Sequence, residues 1–232
     1  VIFFDIDGTL LDHDRAESMG AIDFLKDNRN ELEYSDIKFV EVWNKLSEKY
    51  FNKFLAKEIS FQDQRRMRIK ELFGQYLTNE QADSKFNTYL ELYKRNWSVF
   101  KDVVPCLEQL KQLGFRLGVI SNGDYDQQLE KLEILGIRNY FECIITSSEI
   151  GVAKPDPTIF KKACIKVKVP IRKSYYIGDR LETDAIGSNE AGMVGIWLNR
   201  NNKAANTNVK VIYSLNGLTD IINRNDTILS TK

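Results

Sequence analysis

The sequence predicts a doubly wound, Rossmann-like parallel α/β sheet, interrupted after its first strand by an all-helical insertion. Two observations predict it. Short apolar runs rich in β-branched and aromatic residues alternate with helix-patterned segments, which is how strands buried on both faces read. Between the first such run and the rest, the helix breakers nearly vanish. No Pro precedes Pro105, and only Gly20 and Gly74 lie between Gly8 and Gly114, so a long helical stretch is implied. A length of 232 residues, set against about 150 per domain, fits one core carrying an insertion.

Taken in order, strands are expected at residues 1–4, 115–120, 143–146, 175–177, 194–198 and 209–213, each short and bounded by polar or turn residues. Helices are expected between them at 106–113, 127–135, 158–167 and 184–191, and the Asn-rich stretch 199–208 reads as a loop. In the insertion, Phe39, Trp43, Leu46, Tyr50 and Phe54 recur at helical spacing, as do Phe86, Tyr89, Leu90, Tyr93 and Trp97, marking amphipathic helices. Ser60 with Asp63, and Thr78 with Gln81, have the spacing of a capping box and mark two helix starts. Fourteen of the 26 aromatic residues fall within 15–98, so this unit is expected to pack a core of its own. Residues 1–14 and 99–232 are assigned to the α/β core and 15–98 to the helical unit.

Composition excludes several function classes. Thirty-three Lys and Arg balance 33 Asp and Glu, which argues against a polyanion-binding surface and hence against nucleic acid as a partner. The longest stretches without a charge, 191–199 and 211–219, are nine residues long, far short of the roughly 20 a membrane span needs. A single histidine, His13, cannot build a two-histidine zinc site, so acid–base chemistry must fall to carboxylates. His13 itself is expected to be an exposed loop residue. Cys106, Cys143 and Cys164 are widely spaced and odd in number, which suits buried free thiols in a reducing, cytoplasmic setting. The chain opens on Val1 without a Met, which leaves room for a removed leader. Arg65, Arg66 and Arg68 read as a solvated helix face, although Arg65 and Arg68 are candidates for substrate selection.

In open α/β sheets the ligand crevice lies beyond the carboxyl ends of the strands. The polar residues after the apolar runs converge there: Asp5, Asp7, Gly8 and Thr9 after the first; Ser121, Asn122, Gly123 and Asp124 after the second; Gly178, Asp179 and Asp184 after the run at 175–177. Lys154 stands in a proline-bounded turn just upstream. Asp5, Asp179 and Asp184 would repel one another unless a hard cation lay among them, and an all-oxygen set favours Mg²⁺. Such an ion commonly shares its sphere with phosphate oxygens, and Lys154 adds the positive charge a phosphate needs. A carboxylate can attack phosphorus to give an aspartyl phosphate.

On these four motifs, in this order, the chain resembles the haloacid dehalogenase superfamily over nearly its whole length. The resemblance implies a phosphatase in which Asp5 is the nucleophile and Asp7 is the acid, then the base. It further implies that Ser121, Asn122 and Lys154 hold the phosphoryl group. Mg²⁺ would be bound by Asp5, Asp179 and the Asp7 carbonyl, with Asp184 ordering a water on it. The helical unit would be the family's cap, able to close over the site and select the leaving group. The implied substrate is a small soluble phosphorylated metabolite, such as a sugar phosphate or nucleotide, turned over by a monomer or small homo-oligomer.

Three alternatives compete. A dehalogenase of the same fold needs no leaving-group proton and lacks an acid at the position of Asp7. A phosphomutase shares the acid pair but usually carries another residue where this chain has Thr9. A phospho-receiver signalling domain uses similar residues, but not a first-strand Asp-x-Asp-Gly-Thr or an insertion of this length.

Overall fold

A computed structural model of the chain describes residues 1–222. It divides into two compact units, one formed by Val1–Leu11 with the chain from Val99 onward, the other by Asp12–Ser98.

The first unit is built on a six-stranded, all-parallel sheet. Its strands are β1 (Ile2–Phe4), β2 (Leu117–Ser121), β3 (Cys143–Thr146), β4 (Tyr175–Gly178), β5 (Val194–Leu198) and β6 (Lys210–Ile212), in the order β3-β2-β1-β4-β5-β6. The chain winds outward from β1 to β3, then returns to place β4 on the other side of β1. That reversal opens a crevice at the carboxyl ends of β1 and β4, where ligands bind in such sheets. Both faces are covered, so Ile2, Phe3 and Phe4 have no exposed surface, and each such side chain contributes about 1.5–3 kcal/mol of burial. Phe3, Ile120, Ile145, Phe160 and Tyr176 share one cluster on one face of the sheet.

The second unit holds four helices: α1 (His13–Asp27), α2 (Asp36–Leu55), α3 (Phe61–Phe73) and α4 (Asn79–Arg95). Each begins on a capping side chain, Asp12, Ser35, Ser60 and Thr78 in turn, which accepts the backbone N–H of the residue three positions on. The Thr78–Gln81 box is reciprocal. At Ser60 only half of it forms, because the hydroxyl donates to the Asp63 carboxylate (2.7 Å) while accepting the Asp63 N–H (3.0 Å). Trp43 centres the aromatic core, 4.1 Å from the Tyr89 ring and 5.7 Å from Phe24. Gly20 allows α1 to lie close on α4, since a Cβ there would stand 2.8 Å from Tyr93 Cα.

The sheet is flanked by α5 (Val103–Gln112), α6 (Tyr125–Ile134), α7 (Ser147–Ile150), α8 (Pro157–Lys166) and α9 (Gly187–Ala191). The helix expected at 184–191 instead opens as a wide turn over Leu181–Ile186, in which the Asp184 and Ala185 N–H groups both donate to the Arg180 carbonyl (2.9 and 3.4 Å). Such turns interrupt helices near functional groups. α1 begins two residues ahead of the expected start of the helical unit, and α7, a single turn, lies outside the helices expected from the sequence. Among the described residues no helix is long and apolar enough to cross a membrane. All three cysteines are buried and free, and burial pushes the Cys106 thiol up to about 12 and the Cys143 thiol up to about 11.

Candidate active site

Sheet register brings the polar strand ends together. Phe4 pairs with Val119 on one side and Ile177 on the other, so Asp5 emerges level with Ile120 and Gly178, one step before Ser121 and Asp179. Lys154 arrives from the turn ahead of α8, whose backbone is gripped by Asn122. The Asn122 Oδ1 accepts the Lys154 N–H (2.8 Å) and its Nδ2 donates to the Lys154 carbonyl (3.1 Å). Asn122 thus commits its amide to placing Lys154. Buried Lys154 stands 3.0 Å from Asp5 Oδ1 and donates to Asp184 Oδ1 (2.7 Å) and the Tyr176 hydroxyl (2.6 Å). The Tyr176 hydroxyl donates in turn to the Ile120 carbonyl (2.7 Å).

Glycine sets how tightly these groups gather. Gly8 has φ +79°, and a Cβ on it would lie 2.5 Å from Asp179 Oδ2. Only a residue without a side chain tolerates both the left-handed backbone and that approach. Thr9 Oγ1 donates to Asp179 Oδ1 (3.2 Å), and the Arg180 N–H donates to Asp184 Oδ2 (3.0 Å).

The electrostatics follow from crowding. Burial raises the Asp5 carboxyl above its ordinary range, with Lys154 opposing and Asp184 and Asp7 adding. Burial, then Asp184 and Asp5, push Asp179 up to about 7. For Lys154, burial favours the neutral amine, but Asp184 and Asp5 outweigh it and hold the ammonium above its usual value. One oxygen each from Asp5, Asp179 and Asp184 lies within 4.8 Å of the others. Asp5 Oδ1 is buried without a hydrogen-bond partner, Lys154 being near it but out of alignment. Three carboxylates around one ammonium, all with oxygen donors, fit a hard divalent cation such as Mg²⁺.

Asp7 is held apart from this cluster. Lys131 on α6 donates to both its oxygens (2.7 and 2.8 Å). Gln128 Nε2 donates to Asp7 Oδ2 (3.1 Å), Ser121 Oγ (3.0 Å) and the Asn122 carbonyl (3.2 Å). The structure therefore brings Asp5, Asp7, Ser121, Asn122, Lys154, Asp179 and Asp184 to one rim. Sequence reasoning missed Gln128, Lys131 and Tyr176. Gln128 and Lys131 lie three apart on the face of α6 that also carries buried Leu132, but polar residues on a helix are ordinarily solvated and their spacing alone does not turn them inward.

Two expectations for the helical unit are corrected. His13 is no exposed loop residue, because the Asp12 cap makes it the first residue of α1. Its Nδ1 lies 2.7 Å from the Tyr93 hydroxyl and its Nε2 3.4 Å from Glu17, one turn on. Nor is the arginine cluster a uniformly solvated face. Arg66 pairs with Asp83 through two bonds (2.8 and 2.7 Å) and Arg65 lies 4.3 Å over the Phe61 ring. Arg68 is buried, with no hydrogen-bond partner for its Nε.

A sequence model of haloacid dehalogenase-like hydrolases matches residues 1–192. The chain is 42% identical over 118 residues to a glyceraldehyde 3-phosphate phosphatase from Methanopyrus kandleri, covering 51% of this chain and 47% of that protein. It thus spans about half the length of that relative. It is 28% identical over 208 residues to the N-acylneuraminate-9-phosphatase of Homo sapiens, covering 86% and 82%. Among solved structures, the magnesium-bound HAD-hydrolase YfnB from Bacillus subtilis superposes with a TM-score of 0.77 at 22% identity, over 96% of this chain and 97% of that one. A 2-haloacid dehalogenase from Pseudomonas syringae superposes with a TM-score of 0.72 at 26% identity, over the same shares.

Proposed function

The chain belongs to the haloacid dehalogenase-like hydrolase family, and on that premise we propose that it is a Mg²⁺-dependent phosphatase of small phosphomonoesters, working through an aspartyl phosphate. The observation that carries this reading is the division of labour between two carboxylates. Asp5 stands among Ser121, Lys154 and the acidic cluster, while Asp7 is held separately on Lys131. On this reading Asp5 attacks and Asp7 moves protons.

An Asp5 oxygen bonds to phosphorus as the ester P–O bond breaks, and the leaving oxygen takes its proton from the Asp7 carboxyl. A water then gives a proton to Asp7, its oxygen bonds to phosphorus, and the bond to Asp5 breaks. Inorganic phosphate leaves and both carboxyls are restored. The Ser121 hydroxyl and the Lys154 ammonium hold the transferred group, and Asn122 holds Lys154. Asp5, Asp179 and the Asp7 carbonyl would hold Mg²⁺, with Asp184 behind them. When bound, the ion neutralises charge on the phosphoryl oxygens.

The names of the curated relatives, phosphatases of small phosphorylated metabolites, support this reading, and Asp7 weighs against a dehalogenase, whose halide leaves without a proton. The substrate class we propose is a small, polar phosphomonoester. Three buried free thiols suit a reducing compartment, and the cytoplasm is the proposed location.

Phosphate release from a panel of phosphorylated metabolites tests it. Activity should vanish in excess chelator, return with Mg²⁺ and return poorly with Ca²⁺, whose looser shell misplaces the in-line geometry. Asp5→Asn should fold normally and keep less than about one hundredth of the rate. Full turnover in chelator, or halide release from short-chain halogenated acids above background, would overturn the proposal.

A further inference from the structure

Lys131 is a buried cation that the chemistry above does not use. It is 4% exposed, and its ammonium bonds to nothing among the described residues except the two oxygens of Asp7. An ammonium withdrawn from water is expensive to hold, and a fold that needed only packing there would be served as well by an apolar side chain. One turn earlier on the same face, Gln128 is also buried, at 2%. Its single amide nitrogen reaches Asp7, the Ser121 hydroxyl and the Asn122 carbonyl.

We infer that Lys131 and Gln128 are positioning residues for the proton transfer at Asp7. A carboxylate at the end of a loop can rotate about two bonds. Two donors fixed on one helix remove that freedom, because Lys131 engages both oxygens while Gln128 engages one from the side. Gln128 also ties Asp7 to Ser121, so the group that delivers the proton and the hydroxyl that holds the phosphoryl group are referenced to the same amide. Gly123 makes room for this link. Its φ is +143°, and a Cβ there would stand 3.1 Å from Gln128 Nε2. The helix is fixed in turn, since Asp124 caps it through the Gln127 N–H (3.2 Å) and the Gly123 N–H donates to Ser147 Oγ (2.9 Å). The chain thus aims its acid from α6, a second element that contributes no group to the phosphoryl site itself.

This inference rests on the reading of Asp7 as the acid, and the choice of substrate separates the two. A proton delivered to the leaving oxygen matters for a poor leaving group and little for a good one, and kcat/KM reports the step in which that oxygen departs. The experiment measures kcat/KM for Lys131→Met and Asp7→Asn along a series of phosphate monoesters, from alkyl phosphates to p-nitrophenyl phosphate. For Lys131→Met the alkyl esters should fall on the order of 10²-fold, within the span of general acid catalysis, and p-nitrophenyl phosphate by less than about fivefold. KM should change little for either. Gln128→Met should show the same split at smaller size, and it serves as the probe if Lys131→Met does not fold. A uniform loss across the series would make both residues structural, and an unchanged or raised rate on alkyl esters would make the clamp idle or inhibitory. Each result overturns the inference while leaving Asp7 as the acid, provided that Asp7→Asn shows the split. If Asp7→Asn itself falls evenly across the series, the acid is elsewhere and both readings fail.

Discussion

At Gly178 the spacing of the acidic cluster is decided by the lack of a side chain. A Cβ there would lie 2.3 Å from Asp184 Oδ2 and 2.4 Å from its Cγ, and Asp184 has no exposed surface into which to retreat. The Arg180 N–H and the Lys154 ammonium hold that carboxylate from opposite sides, so it can yield only by moving Lys154. Gly178→Ala should lower phosphatase turnover at least about tenfold while costing roughly 1–3 kcal/mol of stability, the usual range for overpacking. Steady-state kinetics and denaturant unfolding read the two together, and near-normal turnover would mean that Asp184 and Lys154 are not rigidly placed. At this scale the sequence was legible where position along a strand fixes direction. Asp5, Ser121 and Asp179 follow apolar runs, and parallel pairing leaves their side chains one rim to share. It was illegible at Lys131 and Gln128, since polar residues on a helix are ordinarily solvated and only the tertiary structure shows them facing inward. His13 was misread because the cap at Asp12 that turns its segment into a helix is a short-range feature inside a charged run.

Among the elements, the loop after β1 is anchored from far along the chain. Asp102, ahead of α5, accepts two bonds from Arg200 (2.8 and 3.0 Å), one from the Ser214 hydroxyl (2.7 Å) and one from the Leu215 N–H (2.9 Å). Arg200 also donates to the Thr9 carbonyl (3.0 Å) and lies 3.9 Å over the Phe100 ring. Burial would raise the Asp102 carboxyl, but Arg200, Ser214 and Leu215 outweigh it and hold it below its ordinary value of 3.8. A carboxyl lowered by folding stabilises the protein above its unfolded value, and that contribution disappears as pH falls through the folded one. Asp102→Asn should therefore destabilise by about 2–3 kcal/mol at neutral pH, as expected for hydrogen bonds to a charged group. The gap to wild type should narrow as the pH falls below 3.8 and through the lower value of the folded state. Unfolding curves across that range check it, and a constant gap would assign the loss to packing. Strand and helix alternation was readable because buried parallel strands are continuous apolar runs. The wide turn at Leu181–Ile186 was not, because nothing in residue type separates it from the first turn of a helix.

For the molecule as a whole, balanced charge hides a local imbalance. In the α/β unit, Asp179 is gathered beside Asp5 and Asp184 with a carboxyl pushed up to about 7, first by burial and then by those neighbours. A raised acid is favoured when protonated, so at pH 8 the ionised Asp179 opposes folding of the cation-free protein. On the proposed reading function conflicts with stability at this position, and a divalent cation would reconcile them. Saturating Mg²⁺, at about 100 times its dissociation constant, should stabilise the wild type by about 2.7 kcal/mol. For a chain of this size that is a rise of roughly 5–10 °C in melting temperature. Asp179→Asn should lose most of that response, yet melt at or above the wild type when both are cation-free at pH 8, because the amide removes one repelling charge. Thermal melts with and without Mg²⁺ decide it. If Asp179→Asn melts lower without the cation and responds to Mg²⁺ as the wild type does, the three carboxylates are a structural network and the cation binds elsewhere.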